Sequence, residues 1–282
     1  MLKLLKEARA AFAMLSAEEV HRRAEMPLHF GLVADSSGAY TEMEEFLAPS
    51  ALPHAERERR LAKVHRASEP EPPPQVDIVL YEPGLACPKG AYTCYRGQTA
   101  DTVAEILHDH SEFALALARQ YPVFRGAVVE RVIHDVAREN ALFALASALP
   151  NVVPNLIELP WVFGEFASDT MFLTANQMRM AFQVAAACGG DAGLVQQKFE
   201  LLGIAGGALG WRALARELVS HIPFGGGLVP KGAIAYAGTY LTGKALEQLH
   251  LVGHHFTGDE RKALYDRGLE RGRKIVRELR AS

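Results

Sequence analysis

Cysteine is scarce in this chain of 282 residues, occurring only at Cys87, Cys94 and Cys188. An odd and sparse set builds no disulfide framework and fits a reducing compartment. Positive charge is not in excess either. With 30 basic against 33 acidic residues the formal net charge is −3, so nucleic acid is not expected as a partner. The stretch Met1-Leu-Lys-Leu-Leu-Lys-Glu-Ala-Arg9 is charged throughout and lacks the apolar centre and cleavage site of a secretion signal. Long unbroken apolar runs are missing too. The best window, 141–163, is interrupted by three prolines, two asparagines and Glu158. A Leu or Phe at mid-membrane gains only about 0.3–0.6 kcal/mol, whereas an acidic residue there costs roughly 2.5–3.5. The balance lies near zero and predicts no confident span, leaving peripheral or partly inserted helices open. Gly-x-Ser-x-Gly and a Ser-His-Asp layout are absent, as is any repeat of fixed period.

What is present is apolar and mostly helical. Residues 2–14 read as a short amphipathic helix, Ser16-Ala-Glu-Glu19 has capping-box spacing, and Pro27 closes a second helix. Leu28–Ala34 and Val76–Tyr81 suit buried strands, separated by a charged helical segment from His54 to Arg66 and an extended spacer, Glu69–Pro74. From Thr99 onward no strand is expected. Helices are predicted over 100–110, 111–121, 126–149, 160–188, 191–203, 205–220, 230–250 and 257–280. The last opens on a second capping box, Thr257-Gly-Asp-Glu260, and its charged faces suggest a solvated terminal helix. The predicted organisation is therefore 1–98, N-terminal helices with a small α/β unit; 99–256, a compact helical bundle; and 257–282, a charged C-terminal helix.

Strand, Ser/Gly-rich loop and helix make the layout of a phosphate-binding loop. In the register Ala34-Asp-Ser-Ser-Gly-Ala39-Tyr40-Thr41 the hydroxyl survives as Thr41, but Tyr40 replaces the lysine and alanine replaces both glycines. Leu80-Tyr81-Glu82-Pro83-Gly84 looks like the Asp-x-x-Gly turn of small GTPases, with Tyr81 in place of the magnesium-supporting aspartate. No Asn-Lys-x-Asp motif follows. Each lost charge-assisted hydrogen bond removes about 1.5–3 kcal/mol, so nucleotide affinity should fall by orders of magnitude. If a nucleotide is retained, it is GTP with magnesium at Ser36, Ser37, Gly38, Thr41 and Gly84. Otherwise these are turn-formers in a small α/β unit.

From about Arg125 to Leu249 the sequence resembles the uncharacterised helical domain that accompanies Era-like, YcjF-type GTPases. Three pieces carry the likeness: Arg125 through Val132-Ile-His-Asp-Val-Ala-Arg-Glu-Asn140-Ala; Asp169 with Thr174, Gln177 and Met180, ending at Gly189; and Ile222-Pro-Phe-Gly225 before an Ala/Gly-rich helix with Thr239 and Gly243. The resemblance implies a helical module beside GTPase domains, sometimes in membrane-associated proteins, and brings no catalytic residues. Upstream, where a working GTPase domain would stand, only the degenerate P-loop-like segment is visible. Small residues at Gly206, Gly207, Gly210, Gly232, Ala235 and Gly238 would let helix backbones approach closely.

Other chemistry is thin. Glu165, Asp169, Asn176 and Gln183 form a polar line at helical spacing, suited to a ligand, a metal or, more commonly, an internal network paired with Arg131, Arg138 or Arg179. His108 and His110 diverge on one helix, and His250 and His254 lie one turn apart without a zinc-protease glutamate. Cys87 and Cys94 supply two of the four ligands a structural zinc needs. No catalytic residue, metal or obligatory cofactor is expected. The fold expectation is mainly α, a helical bundle with a small degenerate α/β unit on its N-terminal side. The functional expectation is a pseudo-GTPase, a non-catalytic accessory or scaffold protein of the cytoplasm or the inner membrane face, acting through protein partners, self-association or a membrane surface. An atypical GTP/ATP hydrolase, using Lys89 or Arg96 as its cation, and a helical carrier of an apolar ligand are the alternatives.

Overall fold

Consecutive apolar residues can be buried on both faces only in the middle of a covered sheet, and Phe30-Gly-Leu-Val33 occupies that position as β1 (Phe30–Val33). The computed structural model describes residues 17–68, 75–94, 99–146, 169–190 and 228–281. β1 is flanked by β2 (Val64–Arg66) and β3 (Ile78–Tyr81), and β3 by β4 (Tyr92–Thr93), giving a parallel sheet of order β2-β1-β3-β4. Phe30 lies opposite Val64 on one side and Ile78 on the other. The two strands expected from sequence are therefore four. β2 and β4 escape a periodicity search because three and two residues show no alternation, and Val64–Arg66 follows directly on a charged helix.

Helices α1 (Ala17–Ala24), α2 (Ser37–Leu47), α3 (His54–Leu61), α4 (Thr99–Asp109), α5 (Ala114–Gln120) and α6 (Pro122–Ala146) accompany the sheet in sequence, with a 3-10 turn at Ser111–Phe113. The sheet belongs to a compact unit of His21–Val129 with Ala186–Gly189. Thr102 in α4 donates to the Thr93 carbonyl of β4 (3.0 Å), and Tyr92 donates to Asp109 (3.0 Å). Phe30 meets Tyr121 edge-on, ring centroids 4.9 Å apart, and stacks with Phe124 at 6.3 Å. Tyr121, Phe124, Leu117, Leu28, Leu32, Leu47 and Leu80 are fully buried in the same core. A short sheet cannot stand alone, and the α5–α6 corner covers it.

The second unit comprises the described residues of Met1–Val20, Glu130–Ala185 and Gly190–Ser282. It contains most of α6 and of α7 (Asp169–Ala187), with α8 (Leu228–Val252) and α9 (Gly258–Ala281). Among the described residues no strand occurs after Thr99, and none of the helices is long and apolar enough to cross a membrane. The expected helices at 191–203 and 205–220, and Gly206, Gly207 and Gly210, lie outside the described residues. α8 ends on Gly253, whose φ of +80° is the left-handed conformation glycine accommodates at a helix end. The Thr257 capping box opens α9: Glu260 accepts from the Thr257 amide at 2.8 Å, and the Thr257 hydroxyl oxygen accepts from the Glu260 amide at 3.4 Å.

The terminal helix is solvated on one side only. Leu264, Gly268, Gly272 and Val276 repeat every four residues and are buried against α8, so 257–282 belongs to this unit instead of standing apart. A Cβ at Gly272 would lie 2.9 Å from the Ala233 carbonyl oxygen and 3.0 Å from its Cα, and one at Gly232 would lie 2.8 Å from Val276. Backbone cannot yield as a side-chain tip does. Gly272→Ala should therefore lower unfolding free energy by roughly 1–3 kcal/mol, the overpacking cost exceeding the ~1 kcal/mol helix preference for alanine. Gly126→Ala, where a Cβ meets nothing within 4 Å, should be neutral or stabilising. Urea denaturation of both variants checks the contrast.

Candidate functional site

In open parallel sheets ligands settle beyond the carboxyl ends of the strands, where connections leave to opposite sides. Here that place is the gap between the loops after β1 and β3, which holds the residues predicted for a nucleotide. Only Ala34, Asp35 and Ser36 separate β1 from α2, too few to wrap a phosphate. Ser36 adopts extended backbone and caps the helix, its hydroxyl oxygen accepting from the Ala39 amide at 3.1 Å. Thr41 donates its hydroxyl to the Ser37 carbonyl at 3.0 Å. Ser37 and Gly38 belong to the first turn of α2 instead of a free loop. Gly84 lies after β3 with φ +97°, in a turn whose conformation favours glycine.

The two loops are tied together. The Glu82 amide donates to the Val33 carbonyl (2.9 Å), and the Asp35 amide donates to the Glu82 carboxylate (2.9 Å). A carboxylate thus already takes an amide at the mouth of α2. Like charges about 4 Å apart repel by roughly 4 kcal/mol at an effective dielectric near 20, so a phosphate arriving there is opposed. Tyr40, at the lysine position, is buried, with the Arg66 guanidinium 5.3 Å from its ring centroid. Lys89 is exposed in the β3–β4 loop, and Arg96 lies outside the described residues.

The predicted polar line resolves differently along its length. Glu165 lies outside the described residues; Asp169 is the first residue of α7, its side chain undescribed; Gln183 is half-buried. Asn176 is buried and donates to Asn140 (3.0 Å) and Glu139 (3.3 Å). Asn140 donates to the Thr239 hydroxyl oxygen at 2.9 Å, Gln177 donates to it at 3.4 Å, and Thr239 donates onward to the Ala235 carbonyl at 2.9 Å. That hydroxyl uses its one proton and both lone pairs. Arg179 pairs with Glu139 at the edge. The network joins α6, α7 and α8, and its Asn140, Gln177 and Thr239 come from the three sequence pieces described above.

The thiols stay dispersed, while His29 and His65 stack with Nδ1 and Nε2 3.0 Å apart. Cys87 is exposed, while Cys94 is half-buried and pushed up to about 11, chiefly by burial, with the Glu42 charge adding to it. His108 borders a shallow depression with Tyr92, Glu105 and Asp109, and His110 packs against Tyr92 and Phe113. Among the described residues no three His, Cys, Asp or Glu side chains stand where they could hold a metal.

One concentration of charge was not foreseen. In the sheet unit, a cavity of about 420 Å³ is lined by Arg59, Arg60, Lys63, Arg119 and Arg125 against Glu25 and Glu56, with Cys188 at its wall. α3 and the residue pair after it supply one side, α5 and the start of α6 another, and the end of α7 a third. Arg119 pairs with Glu25 at 2.7 Å and Arg125 donates to the Ala187 carbonyl at 3.1 Å, closing the free carbonyls of a helix terminus. Segments this far apart leave no spacing to read; the one local signal is the Arg57, Arg59, Arg60, Lys63 run on and after α3. No known family matches the chain, and neither a characterised protein nor a solved structure is detectably similar to it.

Two outcomes follow from this geometry. Thr239→Val keeps the shape but strands two buried amides, and should cost about 1–3 kcal/mol, whereas Thr239→Ser should retain most of the stability; chemical denaturation measures both. At pH 8 a thiol raised to about 11 carries roughly two-hundredfold less thiolate than an ordinary one near 8.5. Peptide mapping after iodoacetamide treatment should show exposed Cys87 modified long before Cys94.

Proposed function

We propose that this chain is a non-catalytic, GTPase-like accessory protein that works through protein–protein or membrane-surface contacts. The observation that carries the reading is the Glu82 carboxylate seated on the Asp35 amide at the mouth of α2, where a nucleotide phosphate would have to lie. Ser36 caps its own helix and Thr41 bonds its own first turn, so neither is held ready for phosphate or magnesium. Tyr40 serves the core in place of a lysine.

The helical unit favours the same reading. The residues carrying the likeness to the GTPase-associated domain are packing determinants: Asn140 and Gln177 both donate to Thr239, and a Cβ at Gly243 would lie 3.0 Å from the Met180 sulfur. They hold helices together and present no reactive group. A module of this kind acts by its surface.

The deciding measurement is GTP and ATP turnover with magnesium, together with titration of fluorescent analogues against the wild type and Thr41→Ala. We expect no hydrolysis and no nucleotide affinity that depends on Thr41. Turnover, or saturable binding at micromolar levels abolished by Thr41→Ala, would replace this reading with an atypical hydrolase.

A further inference from the structure

The cavity beside α3 has more positive charge than its own residues neutralise, in a chain whose net charge is negative. Glu56 is the centre of the imbalance. Its carboxyl is held below the usual range, first by the hydrogen bond from Arg60 and then by the charges of Arg60, Arg59 and Arg125. One carboxylate faces three guanidinium groups. Several of the remaining contacts are to neutral oxygens, which satisfy donors without cancelling charge: Arg60 Nε to the Gln120 carbonyl, Lys63 Nζ to the Gln120 side chain (2.8 Å), and Arg125 to the Ala187 carbonyl.

Arg60 is the most constrained of the set. Its side chain retains 10% exposure, its Nε and Nη2 are anchored, and among the described residues its buried Nη1 has no hydrogen-bond acceptor. Arg60 lines the cavity, and a guanidinium fixed by the Gln120 carbonyl and the Glu56 carboxylate is pre-organised to meet a further anion there. Burial also lowers the pKa of Arg125, a penalty that a nearby anion relieves.

We infer that this cavity is a binding site for a small phosphate-bearing molecule, with Arg60 and Arg125 at its floor and Arg59 and Lys63 at its rim. Five basic side chains against two acidic ones leave an excess of three positive charges. That suits a phosphate monoester of roughly −1.5 to −2 at pH 7 better than a single carboxylate. The volume lies within the ~300–1,000 Å³ range of small-ligand sites, so the group esterified to the phosphate is accommodated as well. This site is separate from the β1–α2 loop and stands whether or not the accessory-protein reading holds.

The test is calorimetric titration of the full chain with inorganic phosphate and glucose 6-phosphate at constant ionic strength, with chloride and glucose as controls. Saturable binding of the two phosphates alone is expected, weakened about tenfold by Arg59→Gln or by Lys63→Gln, as loss of one charge-assisted contact should do. Thermal denaturation checks that both variants keep the fold; Arg60→Gln should remove binding. Alkylation of Cys188, followed by peptide mapping, should slow at least about fivefold at saturating phosphate while Cys87 is unaffected. Thr41→Ala should change nothing. Absence of saturable binding, affinity unaltered in both rim variants, unprotected Cys188, or loss of binding in Thr41→Ala would each overturn the assignment.

Discussion

The sheet depends on one demand, that β1 be covered on both faces. A parallel strand of four residues brings little hydrogen bonding of its own, and its neighbours are as short or shorter. Its stability must come from apolar side chains laid against it. Phe30 is met by Tyr121 and Phe124, more than ninety residues further along, and Leu28, Leu32 and Leu80 complete the same core. That requirement draws α4, α5 and the start of α6 into the sheet unit, which comprises His21–Val129 with Ala186–Gly189.

Legibility in the sequence followed the range of the physics involved. Local signals could be read. The apolar runs around Phe30–Val33 and Ile78–Tyr81, the long helices over 122–146, 169–187, 228–252 and 258–281, and the Thr257 capping box were each visible because propensity, periodicity and capping act over a few residues. Pairwise signals across the chain could not. β2 and β4 exist only because β1 and β3 offer edges to them, and the buried stripe of α9 rests on Gly268 and Gly272 meeting α8, which charge patterning concealed. Ser36 illustrates a third case: the same Ser-Ser-Gly suits a phosphate loop or a helix cap, and the choice depends on whether Glu82 reaches the Asp35 amide.

The two polar centres differ in how they treat their donors. Around Thr239 the hydrogen bonds run between buried groups, and the hydroxyl is saturated. In the basic cavity several donors end on carbonyls and, among the described residues, Arg60 Nη1 ends on nothing. A closed network holds helices, whereas an open one holds charge in reserve. Sequence spacing pointed to the polar line because its members were read on one helix; the cavity draws on α3, α5, α6 and the end of α7, and so left only the Arg57, Arg59, Arg60, Lys63 run to betray it.

The saturated hydroxyl of Thr239 also limits how the three helices can rotate. Apolar faces slide: a seam of Ala, Leu and Phe accepts several rotational settings at similar cost, since dispersion has no direction. Turning one helix by a single residue swings its side chains by about 100°, which would carry Asn140, Gln177 or Thr239 out of reach and leave amides unpaired in a dry interior. Four polar residues among a few dozen apolar ones therefore act as a key that only one setting of α6, α7 and α8 fits. In a helical unit so rich in small residues, it is this discrimination against near-alternatives, more than added stability, that such a network supplies.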